Sequence, residues 1–145
     1  MSTLVSEFPA ASPEEALARF EERFRFETDC ADVHVGLAAR PDFVLVDVRS
    51  AAAFAKGHVP GAVNIPHRTM TAERMSAFPK STLFVVYCAG PHCNGAARAA
   101  IRLASLGYRV KEMLGGVTGW LDEGYPLEQG AGGAQAAASQ VACGC

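Results

Sequence analysis

The residues Leu83-Phe84-Val85-Val86-Tyr87 form a continuous apolar run that ends directly at Cys88. A short run of this kind predicts a strand buried on both faces, which is typical of a mainly parallel sheet covered by helices. Residues 43–46 form a second such run, which ends at Asp47, and residues 109–113 predict a third strand. The chain therefore carries the strands of an α/β domain.

Helix-prone segments follow these strands. Residues 51–55 come after Asp47, and residues 94–106 come after Cys88 and stop at Gly107. Strands that alternate with helices imply an α/β fold with right-handed crossovers. Ligands of such folds bind outside the carboxyl ends of the strands. Asp47 and Cys88 both lie at such ends, so we expect the functional site there.

Capping and turn residues assign the other segments. Pro13, followed by Glu14 and Glu15, predicts a helix over residues 13–23. The other predictions are a short strand at 24–27, a second helix that Thr28 or Asp29 caps and that reaches about Ala39, an ordered loop over 57–66 and a short helix over 71–78.

Length and composition indicate one domain with tails. The chain has 145 residues, of which 50% are hydrophobic and 19% charged, as in a globular protein. We assign residues 1–11 to an N-terminal tail, 12–128 to the domain, and 129–145 to a flexible tail rich in alanine and glycine that ends in Cys143-Gly144-Cys145. The net charge of −2 gives no reason to expect nucleic acid or a membrane as a partner.

Cysteine usage and the N-terminal sequence predict a cytoplasmic protein. Residues 1–11 lack the pattern of a secretory signal, and no apolar run has membrane-spanning length. The five cysteines form an odd set, unlike the disulfide framework of a small secreted domain. We therefore interpret them as thiols that are buried, reactive or metal-binding.

Cys88 is the strongest candidate for chemistry. It follows a buried strand, and the loop from Ala89 to Gly95 then leads into a helix. Backbone amides of such a loop and the dipole of the helix can stabilise a thiolate, so we expect Cys88 to ionise near neutral pH and the loop to hold an anion. The alternative is a buried cysteine that fills space at the end of a strand.

From about Pro41 to about Leu127 the sequence resembles the rhodanese family. Four blocks carry the resemblance, in the family's order: Leu45-Val46-Asp47-Val48-Arg49 with Phe54, the block Gly57 to Pro66, Val85-Val86-Tyr87-Cys88, and Leu114-Gly115-Gly116 with Trp120, Gly124 and Pro126. The resemblance implies a doubly wound α/β domain, with a mainly parallel sheet and helices on both faces. It also implies that Cys88 attacks a sulfane sulfur, becomes a persulfide and passes the sulfur to a thiol or cyanide.

This resemblance implies a complete set of site residues. Cys88 would be the nucleophile, and the loop that binds the substrate would be Ala89, Gly90, Pro91, His92, Cys93, Asn94 and Gly95. Asp47, Arg49 and His58 would support the site, although an ion pair that props the loop and a structural histidine are the simpler interpretations. No cofactor or metal is implied. The expected partners are a small sulfane-sulfur donor and a thiol acceptor, which could be a protein.

The loop departs from the family pattern. Relatives commonly carry arginine or lysine there, whereas His92 is the only candidate cation between Cys88 and Gly95. We therefore predict that thiosulfate is a poor donor. The spacing from Cys88 to Gly107 suggests an enlarged loop. Asn94 stands where phosphatase-like and arsenate-reductase-like relatives have arginine, which argues against those activities.

The second thiols leave other functions open. Cys93 could resolve an oxidised or persulfidated Cys88, which would suit a thiol redox protein, or it could pack under the loop. Cys143 and Cys145 could relay sulfur or bind a soft metal together with further ligands. The main rival is a non-catalytic rhodanese-like binding or regulatory module, because the loop lacks its usual cation.

Overall fold

The central layer is a five-stranded sheet in a computed structural model that describes residues 1–130. The strands lie in the order β1-β5-β4-β2-β3, and every pairing between them is parallel. They are β1 (Glu27–Asp29), β2 (Val44–Asp47), β3 (Val63–Asn64), β4 (Leu83–Tyr87) and β5 (Arg109–Leu114). The predicted parallel α/β sheet is confirmed.

In the described part of the chain, six α-helices and one 3-10 turn connect and flank these strands. They are α1 (Pro13–Phe26), α2 (Cys30–Ala38), α3 (Ala51–Lys56), the 3-10 turn (His67–Thr69), α4 (Ala72–Met75), α5 (Gly95–Ser105) and α6 (Gly116–Asp122). Ser12 caps α1 and Asp29 caps α2, each with a side-chain oxygen that accepts from an amide in the first turn.

Each face of the sheet carries its own core, because side chains alternate across the pleat. On one face, Phe84 and Val86 of β4 belong to a cluster that includes Leu103 of α5 and Met75 of α4. On the other face, the cluster is formed by Val85 and Tyr87 of β4, Val33 of α2 and Trp120 of α6, among others. Helices therefore cover both faces, which confirms the doubly wound architecture.

Three local predictions differ from the structure. Residues 24–26 continue α1, and β1 begins only at Glu27, where pairing with Glu112 of β5 defines the strand. The predicted loop over 57–66 contains the two-residue strand β3, whose Asn64 amide group donates to the carbonyls of Asp47 and Arg49. The helix predicted over 71–78 is limited to α4. In each case long-range pairing or packing overrides a local pattern.

The described chain returns to the body at its end. His58 and Glu128 exchange two backbone hydrogen bonds, and the Gly130 amide donates to the Ala55 carbonyl. Most of the predicted tail, including Cys143 and Cys145, lies outside the described residues. Within residues 1–130, the helices lack the combination of length and apolar character that crossing a membrane requires.

Candidate active site

The loop that follows β4 forms one wall of a pocket at the carboxyl edge of the sheet. Cys88 is the first residue after β4, between the ends of β5 and β2, and its side chain is buried. The pocket has a volume of about 310 Å³. Its lining consists of Cys88, Gly90, Pro91, Cys93, Ala96, Glu112, Met113, Leu114, Gly115 and Gly116. A substrate in this pocket would therefore lie next to Cys88.

The N-terminus of α6 fixes the conformation of this loop. The amide of Val117 donates to the Cys88 carbonyl over 3.1 Å, and the amide of Thr118 donates to the Ala89 carbonyl over 3.0 Å. The Thr118 hydroxyl also donates to the Ala89 carbonyl, over 3.1 Å. Both loop carbonyls are thus bound on the α6 side.

Glycine allows this close contact between α6 and the loop. Gly116 has a φ of +55°, and a Cβ at this position would lie 2.4 Å from the Cys88 carbonyl oxygen. A Cβ on Gly90 would lie 2.7 Å from the Thr118 hydroxyl oxygen. Larger residues at either position would push the loop away from α6.

Burial dominates the ionisation of Cys88. Removal from water raises the pKa of the Cys88 thiol, and the nearby Asp47 carboxylate raises it further. The backbone amides of Ala89 and Gly95 lower this pKa, as does the Arg49 guanidinium. The net shift is upward, so the expectation that Cys88 ionises near neutral pH is wrong. The amides and the helix dipole are present, as expected, but they do not offset the desolvation of the charged sulfur.

Asp47 and Arg49 form a fully buried ion pair beneath the site. Arg49 Nη2 lies 2.7 Å from Asp47 Oδ2, and the same nitrogen donates to the Gly57 carbonyl over 2.6 Å. Burial acts to lower the pKa of Arg49, but its hydrogen bonds and charge contact with Asp47 outweigh burial and the net shift is upward. These contacts fit an ion pair that props the loop.

His58 lies outside the pocket and is held by structural contacts. Its Nδ1 lies 2.8 Å from the Phe54 carbonyl oxygen, and its ring stacks on the Phe54 ring at 3.6 Å between centroids. Its Nε2 lies 3.6 Å from a carboxylate oxygen of Glu128. This environment fits a structural histidine and offers no route to the pocket.

The structure brings only part of the predicted loop into the pocket. Gly90, Pro91 and Cys93 line it, whereas His92 and Asn94 are exposed and Ala89 and Gly95 act through their backbones. Asn94 accepts from Arg98 Nε over 3.1 Å, away from the lining. Among the residues described as lining the pocket, none is lysine, arginine or histidine.

Sequence reasoning missed the wall that β5 and the start of α6 supply. Glu112, Met113 and Leu114 are the last residues of β5, and β4 pairs with β5 so that Val86 lies beside Glu112. Burial raises the pKa of the Glu112 carboxyl, and the neighbouring Glu27 raises it further. These residues lie at the carboxyl end of β5, so the rule that ligands bind at the carboxyl ends of parallel strands points to them once β5 is placed beside β4.

Fold and site together define a doubly wound α/β domain with a cysteine facing a pocket at the sheet's carboxyl edge. The family model for the rhodanese-like domain matches residues 31–123. This chain therefore belongs to the rhodanese-like family.

The proteins that this chain resembles belong to different functional classes. A sulfurtransferase of Allochromatium vinosum is 35% identical over 70% of this chain and 92% of its own length. An HTH-type transcriptional regulator of Mycobacterium tuberculosis is 32% identical over 83% of this chain, which spans only 47% of the regulator. A crystal structure of a Bacillus halodurans protein is 35% identical and covers 81% of this chain and 87% of its own, with a TM-score of 0.78. The family thus includes both a sulfurtransferase and a larger regulator.

Proposed function

We propose that this protein is a sulfurtransferase that carries sulfane sulfur on Cys88 as a persulfide. The observation that carries the proposal is the placement of Cys88 at the end of β4 in a substrate-sized pocket, with the amides of Ala89 and Gly95 close enough to stabilise negative charge on its sulfur. Membership of the rhodanese-like family and the likeness to a sulfurtransferase support it.

The reaction has two displacements on sulfur. The Cys88 thiolate attacks the terminal sulfur of the donor, a sulfur–sulfur bond forms to Cys88, and the donor's own sulfur–sulfur bond breaks with its electron pair leaving on the donor thiolate. An acceptor thiolate then attacks the outer sulfur of the Cys88 persulfide, and Cys88 leaves as a thiolate. Sulfur and electrons balance over the two steps without a cofactor, so none is proposed.

The charge of the pocket favours a persulfide donor over thiosulfate. Among the residues described as lining the pocket, Glu112 is the charged side chain, and His92 lies outside that lining. An acidic wall repels a dianion such as thiosulfate, whereas an organic persulfide brings less charge to the pocket. We propose a small organic persulfide as donor, and a small thiol or a protein thiol as acceptor. The proposed location is the cytoplasm.

Intact mass spectrometry tests the proposal. After incubation with cysteine persulfide at pH 8 and removal of excess donor, the chain is expected to gain about 32 Da, the mass of one sulfur atom. Peptide mapping should place the adduct on Cys88, and glutathione should remove it. The Cys88→Ser variant should gain no sulfur at that peptide. A wild-type chain that gains no sulfur at Cys88 would contradict the proposal.

Two observations keep a second function in view, a non-catalytic binding module. The raised pKa of Cys88 and a pocket lining without a described cation both reduce reactivity towards anionic donors. The relative that is a transcriptional regulator is consistent with this function. An empty module would remain unmodified by any donor in the experiment above. Cys93 lines the same pocket and is disulfide-bonded, so a thiol–disulfide exchange in which Cys88 attacks this bond would favour the thiol redox alternative.

A further inference from the structure

Helix α1 projects an apolar stripe into solvent. Leu17, Phe20 and Phe24 lie at spacings of three and four residues, so they share one face of the helix. Their exposed fractions are 62%, 60% and 71%. No residue of this 14-residue helix is buried. With phenylalanine contributing about 150–250 Å² when fully exposed, the stripe presents on the order of 350 Å² of apolar surface.

Such a helix is poorly stabilised within a single copy of the chain. Isolated helices of this length are marginal in water, and most helical stability in proteins comes from burying an apolar face. The α1 stripe buries little of its face, although the helix leads directly into β1. The stripe also falls in the size range of patches that mark binding sites on monomers.

A groove lies between α1 and the α5 side of the sheet. It has a volume of about 940 Å³. Ile101 in this groove is itself 66% exposed, and the apolar residues of the lining are Phe26, Leu83, Ala97, Ala100, Ile101, Ala104, Tyr108 and Val110. The groove is basic, because five cations line it, Arg19, Arg23, Arg25, Arg109 and Lys111, against the two acids Glu27 and Glu112.

The charges of α1 complement this groove. Glu14 and Glu21 flank the apolar stripe on one side, seven residues apart, and Arg19 and Arg23 flank it on the other, four residues apart. An α1 stripe that lies on the groove of another copy would bring its glutamates beside the groove's arginines. A standard interface buries about 800 Å² per partner. The stripe supplies about half of this, and the floor and rim of the groove can supply the rest.

We propose that the occupant of the groove is a second copy of this chain, in a two-fold dimer in which each α1 docks on the other copy. Such an exchange satisfies both surfaces at once, as an isologous interface requires. The dimer would also border the catalytic pocket, because Glu112 lines both the groove and the Cys88 pocket. The interface itself does not involve Cys88, so it can be tested independently of sulfur transfer.

Light scattering coupled to size exclusion tests the dimer. The full chain, kept in reducing agent, is expected to show twice its mass of 15.3 kDa and to dissociate on dilution. The double variant Phe20→Glu/Phe24→Glu should weaken association by about 100-fold or more and elute as a monomer. Because both side chains are exposed, its far-UV circular dichroism should match that of the unaltered chain.

Matched variants separate this interface from general surface effects. Leu121→Glu introduces one glutamate at an exposed leucine of α6, outside the groove, and should leave the dimer intact. Glu21→Gln should weaken the dimer and reduce its sensitivity to salt, because it removes an attraction. A wild-type chain that stays monomeric at 100 μM, a concentration of about a hundred times a micromolar Kd, would overturn the proposal. So would a dimer unaffected by the double variant.

Discussion

Cys88 lies where two opposing influences on a thiol meet. Burial favours the neutral thiol, while the backbone amides of Ala89 and Gly95 favour the thiolate, and burial prevails. The negative charge of Asp47 adds to the effect of burial, and the positive charge of Arg49 opposes it. The nucleophile of the proposed reaction is therefore a minor species at neutral pH, and reactivity should rise steeply towards alkaline pH.

The pH dependence of alkylation checks this. We expect the rate of Cys88 alkylation by iodoacetamide, followed by peptide mapping, to rise with a midpoint above the ordinary pKa of a cysteine, because burial raises the pKa of this thiol. Cys30 provides an internal control, because burial and neighbouring acids raise its pKa to about 11 and it should react at still higher pH. In denaturant the two midpoints should converge. A Cys88 midpoint near 7 would mean that the amides dominate after all.

Glu112 should determine how the pocket treats anionic donors. The substitution Glu112→Gln removes a negative charge from the lining and should lower the KM for thiosulfate by about tenfold at pH 8, an effect of about 1.4 kcal/mol. The same change should alter the KM for an organic persulfide much less. Both constants come from steady-state transfer assays.

His92→Arg is the matched comparison for charge outside the lining. It adds a full cation to the loop, and we expect it to lower the thiosulfate KM as well, but less than Glu112→Gln does. His92 is exposed and does not line the pocket, so its charge acts through water. Efficient use of thiosulfate by the unaltered chain, with no gain from either change, would contradict the role given to Glu112.

Helix α6 holds the loop that carries Cys88 in place. Its N-terminal amides bind the Cys88 and Ala89 carbonyls, and Gly116 provides the space for that contact. Gly116→Ala should destabilise the fold by about 3 kcal/mol, since it combines a positive φ with an overlap against the Cys88 carbonyl. It should also slow the loading of sulfur onto Cys88. Urea unfolding and the mass assay measure the two effects.

Gly124 is a matched control for the backbone component. Its φ is +83°, but a Cβ there would have nothing within 4 Å among the described residues. Gly124→Ala should therefore cost only the conformational component, about 1 kcal/mol, and leave loading unchanged. Equal losses of stability in the two variants would show that the contact between Gly116 and the loop contributes nothing.

The elements predicted from sequence are those with strong local signals. The apolar runs that became β2 and β4, and the helices capped by Ser12 and Asp29, were located within a few residues. Strand β3 could not be found this way, because two residues become a strand only by pairing with β2. Helix α6 starts at a glycine with positive φ and has no side-chain cap, so its sequence gives no standard start signal.

The site was predictable to a similar degree. The position of Cys88 after a buried strand identified the candidate nucleophile, because that inference needs only local sequence. The direction in which the Cys88 pKa shifts was not predictable, because desolvation depends on how many atoms of other segments surround the sulfur. The Glu112 wall was missed for a related reason, since it reaches the pocket through the pairing of β5 with β4.

At the scale of the whole molecule, stability should fall at alkaline pH. Folding raises the pKa of Cys30 from 9.0 to about 11, so the folded chain keeps a proton there that the unfolded chain releases. The resulting stabilisation is complete below about pH 9 and is lost as the pH rises through about 11. The loss attributable to Cys30 is about 2 to 3 kcal/mol.

Guanidinium unfolding at several pH values between 8 and 11 measures this loss, on a scale of about 1.4 kcal/mol per pH unit per proton. Cys88 and Tyr87 also have raised pKa values and add slopes of the same sign. Cys30→Ala should reduce the slope of the unfolding free energy against pH by the contribution of one proton. A substitution to serine or alanine at an exposed position should leave that slope unchanged. A Cys30→Ala chain with an unchanged alkaline slope would show that this thiol does not couple to folding.

The order of the strands bears on how the chain matures on the ribosome. Within residues 1–130, strand β1 pairs with β5 alone, so its edge of the sheet cannot form until Leu114 has left the exit tunnel. Until then, α1 is tethered to a segment that has no sheet to join, and its phenylalanines, which stay exposed in the folded chain, are already open to other nascent chains. Closure of the β1–β5 edge is thus a late, long-range event, the kind of step that slows folding. Nascent chains on neighbouring ribosomes of one messenger RNA can therefore contact one another through the exposed face of α1.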